Sequence, residues 1–262
     1  MSAGPDPARR DAGEDPRTRE LAHALDRVRA RVATAAAGQD PRADEPTLIA
    51  VTKFFPAADV ARLHRLGVRD VGENRDQEAS AKAREARELG AAPLTWHFIG
   101  QLQSNKARSV VRYASWVHSV DRASLVTALG RAVLRHREAA AAGDEPPGPC
   151  AAEDLTCLVQ VSLDAEEHRG GARPEDVVAL AERIAATEGL RAGGVMAVAP
   201  LGAPPGPAFD RLHELSQLLQ RSLPGATAVS AGMSHDLEEA VARGATHVRV
   251  GSDILGPRPP VR

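Results

Sequence analysis

Two hydrophobic periods alternate along this chain. Short apolar runs bounded by turn residues read as strands at 47–52 (TLIAVT), 68–72 (VRDVG), 95–100 (TWHFIG), 115–120 (SWVHSV), 155–162 (LTCLVQVS), 193–198 (GGVMAV), 226–230 (ATAVS) and 246–251 (THVRVG). Between them, apolar positions recur every three to four residues. That spacing predicts helices over 56–66, 75–89, 104–113, 121–142, 174–188, 209–222 and 234–243. A further helix is predicted over 17–37, where Leu21, Leu25, Val28 and Val32 share one face. Pro56 and Pro174 suit first helical turns, and Gly67, Gly189 and Gly244 suit positions just past helix ends.

Strands and helices in this order predict an α/β protein, a single (β/α)8 TIM-type barrel. The last strand has little chain left for its own helix, so the helix over 17–37 is expected to fill that gap. An open doubly wound sheet is the rival, but no dinucleotide-type Gly pattern follows the first strand. Residues 1–16, rich in Pro, Gly and charge, read as a disordered leader, which leaves 17–262 for the barrel. Residues 143–154 and 201–208 read as loops whose chemistry looks empty.

Composition narrows the function classes. Apolar residues make up 43% and aromatics 3%, so the core is expected to be aliphatic. A net charge of -2 gives no basic footprint for nucleic acid. No apolar run approaches the about 18 residues of a membrane span, and the N-terminal stretch lacks a secretory signal. Cys150 and Cys157 read as two reduced thiols, in keeping with a cytoplasmic protein. A monomer is the default expectation. Of the 33 lysines and arginines only Lys53, Lys82 and Lys106 are lysines. Arginine cannot stand in for lysine where a deprotonated amine is the reactive group.

In such a barrel, chemistry sits at the C-terminal ends of the strands. Lys53 follows the first strand and is expected to be buried near the mouth, where burial would favour a nucleophilic amine; snorkelling to water is the plain alternative. Lys82, amid Glu78, Arg84 and Glu85, reads as a solvated helix residue, and Lys106 reads as a phosphate contact or a surface residue. Asn74 follows the second strand and either meets a ligand oxygen or caps a helix. The turns at Met233-Ser234 and Gly251-Ser252 fall after strands seven and eight, where barrels often bind phosphate. Ser234 is expected to cap the helix after it, and Asp236 would compete with an anion unless it points outward. Arg249 is expected to point into the barrel, toward a pyridine nitrogen or an acid. His97 and His118 are assigned no role.

At these residues the chain resembles the pyridoxal phosphate homeostasis proteins. The matching stretches are LIAVTK (48–53), GEN (72–74), WHFIGQLQSNK (96–106), GVMAV (194–198), SAGMSHD (230–236) and VRVGSDILGPR (248–258). The resemblance implies a barrel like the N-terminal domain of alanine racemase and pyridoxal 5'-phosphate as cofactor. It implies that Lys53 is the Schiff-base lysine, that Ser234, Gly251 and Ser252 hold the phosphate, and that Arg249 lies beside the ring nitrogen. Asn74 and Met233 fall in motifs near the cofactor. It further implies a carrier or regulator of vitamin B6, with free amino acids and acceptor enzymes as partners, rather than a robust catalyst. A racemase needs acid–base groups on both faces of its substrate; the sequence stops soon after the last strand, so no second domain to supply one is expected. Two other readings stay open: a racemase or lyase of weak activity, and a sugar-phosphate barrel with an imine-forming lysine. The family usually reads GENY, whereas position 75 here is Arg75. Its phosphate loop often reads G-T-x-I-F-G, and Gly251-Ser252-Asp253-Ile254-Leu255-Gly256 keeps the hydroxyl.

Overall fold

A computed structural model describes residues 15–38, 45–163 and 170–258. Nearly all of the expected leader lies outside the described residues. Eight parallel strands close in sequence order into one barrel: β1 (Thr47–Val51), β2 (Asp70–Glu73), β3 (Thr95–Phe98), β4 (Trp116–Val120), β5 (Leu155–Gln160), β6 (Leu190–Met196), β7 (Ala228–Ser230) and β8 (His247–Val250). β8 pairs back onto β1, with Ala50 opposite Val250. Closure excludes the open doubly wound sheet.

The helices lie between strands: α1 (Pro16–Ala36), α2 (Ala57–Arg65), α3 (Asp76–Glu88), α4 (Ala107–Val110), α5 (Ala123–Ala142), α6 (Val177–Ala185), α7 (Gly206–Ser222), α8 (Leu237–Ala242) and α9 (Ser252–Leu255). The periodicity did not reveal α9, because four residues are too few to carry a helical repeat. α1 starts at Pro16 because Asp15 caps it: the Asp15 carboxylate accepts from the Arg17 N–H at 2.9 Å and the Thr18 hydroxyl at 2.8 Å. α1 packs against α2, α8 and α9, the place expected for it. Its buried Leu21, Leu25, Val28 and Val32 join the main core. Each such side chain stabilises by roughly 1.5–3 kcal/mol.

That core is the aliphatic layer between strands and helices, with Val248 and Val250 pointing into it. The barrel interior is different. Leu158, Met196 and Ala228 form a small apolar cluster against Trp116 on one side. Asp70, His97, His118, His247 and Arg249 occupy the other. The 143–154 segment is ordered and not chemically empty. It carries a short turn at Pro149–Ala151, the buried Cys150, and Glu145 paired with Arg108 and Arg112. Burial pushes the Cys150 thiol up to about 12, so it is inert at neutral pH.

Candidate functional site

Lys53 lies in the turn that leaves β1. The Thr52 carbonyl accepts from the Phe55 N–H at 3.1 Å, and Phe54 takes φ +70° at the position usually given to Gly or Asn. A bulky residue there costs about 1–3 kcal/mol. Phe54 is held by the guanidinium of Arg258, 3.9 Å from its ring centre, with Arg75 at 5.2 Å. Arg75 therefore does not project into the mouth; it leans on Phe54 and pairs with Glu78 at 3.2 Å. Lys53 is half-buried and makes no ion pair among the described residues.

Directly behind it sits a charged pair that the sequence reading misplaced. Lys82 is not solvated. It is 7% exposed, and its ammonium donates to Glu73 Oε1 at 2.6 Å and to the Thr52 carbonyl at 2.8 Å. Glu73 is fully buried, and the same oxygen accepts from the Thr52 hydroxyl at 2.7 Å. Burial pushes the Glu73 carboxyl above its usual range, against the pull of the Lys82 ammonium. Lys82 reaches inward from α3 although its sequence neighbours are charged. The scarcity of lysine was the available signal: a chain that uses arginine almost everywhere kept an ammonium at 82.

Asn74 does not cap α3; position 75 precedes the helix, and no side chain caps it. Its Oδ1 is buried and has no hydrogen-bond partner among the described residues. Gly100 makes room for this strand end: a Cβ there would lie 2.2 Å from the Asn74 carbonyl oxygen.

Beside β1, the turns after β7 and β8 meet. The Ser252 hydroxyl donates to the Ser234 hydroxyl oxygen at 3.1 Å. Ser234 is not an N-cap, because the chain makes a further turn and α8 starts only at Leu237. The main-chain N–H groups of Ser252 and Asp253 open α9 and find no main-chain acceptor among the described residues. Gly232, at φ +87°, folds the β7 turn tightly over α8. Asp236 is satisfied locally: its carboxylate accepts from the Met233 N–H at 2.6 Å. That amide is thereby removed from any anion, while the Met233 side chain is 37% exposed. Arg31 of α1 clamps both turns from outside. It donates to the Ser234 carbonyl at 2.8 Å and to Asp253 at 2.5 Å, and it pairs with Glu238 at 2.6 Å. Nothing in the helical pattern of 17–37 singled it out.

Arg249 points into the barrel as its alternation predicts. Its partner is not an acid: it donates to Ser230 Oγ at 2.7 Å and to the Ala197 carbonyl at 2.9 Å. Five donors on one guanidinium leave its Nε–H and one N–H on each terminal nitrogen for a further acceptor. Burial lowers its pKa to about 10, against the pull of Asp236 from the β7 turn, so it is still charged at neutral pH. Ser230 in turn contacts His118 Nδ1 at 2.9 Å, His118 Nε2 contacts His97 Nδ1 at 2.9 Å, and His97 Nε2 contacts Asp70 at 2.9 Å. The two histidines left without a role are thus the middle of a chain of contacts that reaches Arg249. Inward alternation on β3 and β4 was their only signature.

The structure therefore gathers Lys53, Asn74, Met233, Ser234, Gly251 and Ser252 at the C-terminal ends of four neighbouring strands, β7, β8, β1 and β2, with Arg249 below. Lys106 lies apart, on a surface cleft with Arg84, Arg108 and Arg112.

Known proteins share this arrangement of sequence and fold. The family model described as alanine racemase, N-terminal domain, matches residues 24–259. A pyridoxal phosphate homeostasis protein of Mycobacterium tuberculosis (strain ATCC 25618 / H37Rv) is 45% identical over 252 residues, covering 92% of this chain and 94% of that protein. One from Escherichia coli (strain K12) is 33% identical, covering 91% and 97%. The structure of PipY from Synechococcus elongatus PCC7942, solved with PLP bound, superposes with a TM-score of 0.70 at 33% identity, covering 87% of this chain and all of that one. This chain belongs to the alanine racemase N-terminal domain family and, within it, to the pyridoxal phosphate homeostasis proteins.

Proposed function

We propose that this protein binds pyridoxal 5'-phosphate at the mouth of the barrel and serves in cytoplasmic balance of that cofactor, without robust turnover. The observation that carries the reading is the unspent hydrogen-bonding capacity of the mouth. Among the described residues, Asn74 Oδ1 is buried without a partner, Arg249 is a buried cation with open donors and no hydrogen-bonded carboxylate, and two serine hydroxyls meet beside amides with no main-chain acceptor. These groups fit a planar ring with one anionic tail. When bound, the cofactor supplies a reactive aldehyde and an electron-withdrawing ring.

Lys53 supplies the primary amine for that aldehyde. Ser234, Ser252 and the N–H groups at 252–253 receive the phosphate, and Gly251 lets the backbone come near it. Asn74 faces the ring hydroxyl, which can donate to its Oδ1, and Met233 covers the phosphate side. Arg249 donates toward the ring nitrogen. A charged donor there opposes ring protonation and so weakens the ring as an electron sink, which favours holding over catalysis. The Glu73–Lys82 pair stiffens the base of the Lys53 turn. Free amino acids and enzymes that accept the cofactor are its partners, and the protein acts as a monomer.

Reconstitution with pyridoxal 5'-phosphate tests this. The product is expected to be yellow, and borohydride followed by mass mapping is expected to leave one adduct, on Lys53, absent from Lys53→Ala. A protein that stays colourless, or a variant labelled on Lys82 or Lys106, overturns the assignment. Sustained α-proton exchange of many amino acids per site per minute would overturn the non-catalytic part.

A further inference from the structure

Inside the barrel, an unbroken line of side chains joins Asp70, at the N-terminal end of β2, to Arg249 below the mouth. Its contacts run Asp70, His97, His118, Ser230, Arg249, each step between 2.7 and 2.9 Å. His97, His118, Ser230 and Arg249 are buried, and only Asp70 reaches solvent, with 26% of its side chain exposed. The other charged or titratable groups around the line are His247, whose ring lies 6.4 Å from those of both His97 and His118, and Arg191, stacked on Trp116. Asp236 acts on Arg249 from the β7 turn.

The roles of each atom follow by elimination. Arg249 can only donate, so Ser230 Oγ accepts from it. An ionised Asp70 can only accept, so His97 Nε2 carries a proton. A neutral His97 then has a bare Nδ1, which must accept from His118 Nε2–H. His118 is left with a bare Nδ1, which accepts the Ser230 hydroxyl proton. Every donor meets an acceptor in this one direction. Reversing it requires an additional proton at the Asp70 end, and burial holds both histidines below their usual pKa.

We propose that Asp70, His97, His118 and Ser230 are positioning residues for Arg249: the carboxylate at the far end of the barrel sets the tautomer of both histidines and keeps Ser230 turned as an acceptor. Resting on the cofactor reading above, this deepens it. The chain decides where the Arg249 donors point and so how the ring-nitrogen end of the site is presented. If the direction reversed, the Ser230 oxygen would accept from both His118 Nδ1–H and Arg249, and the serine proton would lose its His118 acceptor and have to turn elsewhere.

The first test needs no cofactor. Nitrogen-15 NMR of the imidazoles in the unloaded protein at neutral pH is expected to show His97 and His118 both as the Nε2–H tautomer. Asp70→Leu, which removes the acceptor at the rim, is expected to abolish that single-tautomer pattern and shift the Arg249 Nε–H signal. A wild-type His118 protonated on Nδ1, or an Asp70→Leu protein with unchanged His118 and Arg249 signals, overturns the proposal. The second test uses pyridoxal 5'-phosphate. Asp70→Leu and Ser230→Ala are both expected to shift the absorbance band of the bound cofactor and weaken its binding, Ser230→Ala by roughly tenfold, while the borohydride adduct still forms on Lys53. An unaltered spectrum and affinity in folded Asp70→Leu also overturns the proposal. A wild-type protein that takes up no cofactor defeats the preceding reading instead, and the NMR arm then still decides the positioning claim through Arg249.

Discussion

Glu73 and Lys82 bring two full charges into contact beneath the Lys53 turn. Across the interior, Asp70 and Arg249 stand at opposite ends of a line whose middle is neutral imidazole and hydroxyl. Both arrangements place polar groups where water does not reach, yet they answer different mechanical needs. The first is short and closed: each partner is pinned by the other and by Thr52, so the end of β1 has a rigid floor. The second is long and directional, so a change at one end can be felt at the other. A buried ion pair is strongly destabilising only when one member is removed. A neutral chain fails when a proton is added.

The largest expected effect comes from breaking the pair. Lys82→Ala leaves the Glu73 carboxylate buried alone and is expected to cost about 3–5 kcal/mol in urea unfolding. The double change Lys82→Met, Glu73→Leu is expected to recover most of that. Equal losses in the single and double variants would show that the charges are not acting as a pair. Acid titration probes the second network. His97, His118 and His247 all have folded pKa values below the ordinary 6.5, with His247 near 4, chiefly because of burial. The unfolded chain therefore binds protons that the folded one refuses. Stability is expected to be whole above pH 6.5 and to fall as pH drops below it, by about 1.4 kcal/mol per pH unit for His247 down to its folded value near 4, with His97 and His118 adding loss in the same direction. A flat stability curve across that window would contradict the neutral middle. The smallest effect on stability belongs to a site in neither network. Ser252→Ala is expected to change stability by no more than about 0.5–1 kcal/mol while weakening cofactor binding roughly tenfold. A large loss of stability there would mean that the Ser234–Ser252 contact is part of the frame rather than of the anion site.

Much of this was visible in the residues. All eight strands, the closing role of α1 and the inward turn of Arg249 followed from periods of two and 3.6. What failed did so because contacts, not patterns, decided the outcome. Lys82 sits among Glu78, Arg84 and Glu85, so local composition argued for solvent, yet one face of α3 lies on Glu73. Ser234 resembled a helix cap because a turn and a helix follow it, but the helix begins three residues later and the hydroxyl oxygen accepts from Ser252 instead. His97 and His118 were legible as inward residues. Their joining depends on the register that sets β3 beside β4, which pairs His97 with Trp116 and leaves His118 one layer higher.

The grip of Arg31 on Asp253 spans 222 positions of sequence, and that of Arg17 on the Leu255 carbonyl spans 238. The two serine turns are thus fastened by a helix made at the other end of the barrel's chain. During synthesis the proposed anion cradle cannot form before the last strand has been made. On the proposed reading, a partly made or partly melted barrel would offer the Lys53 amine with no seat for the phosphate, so firm retention of the cofactor would report on completion of the fold.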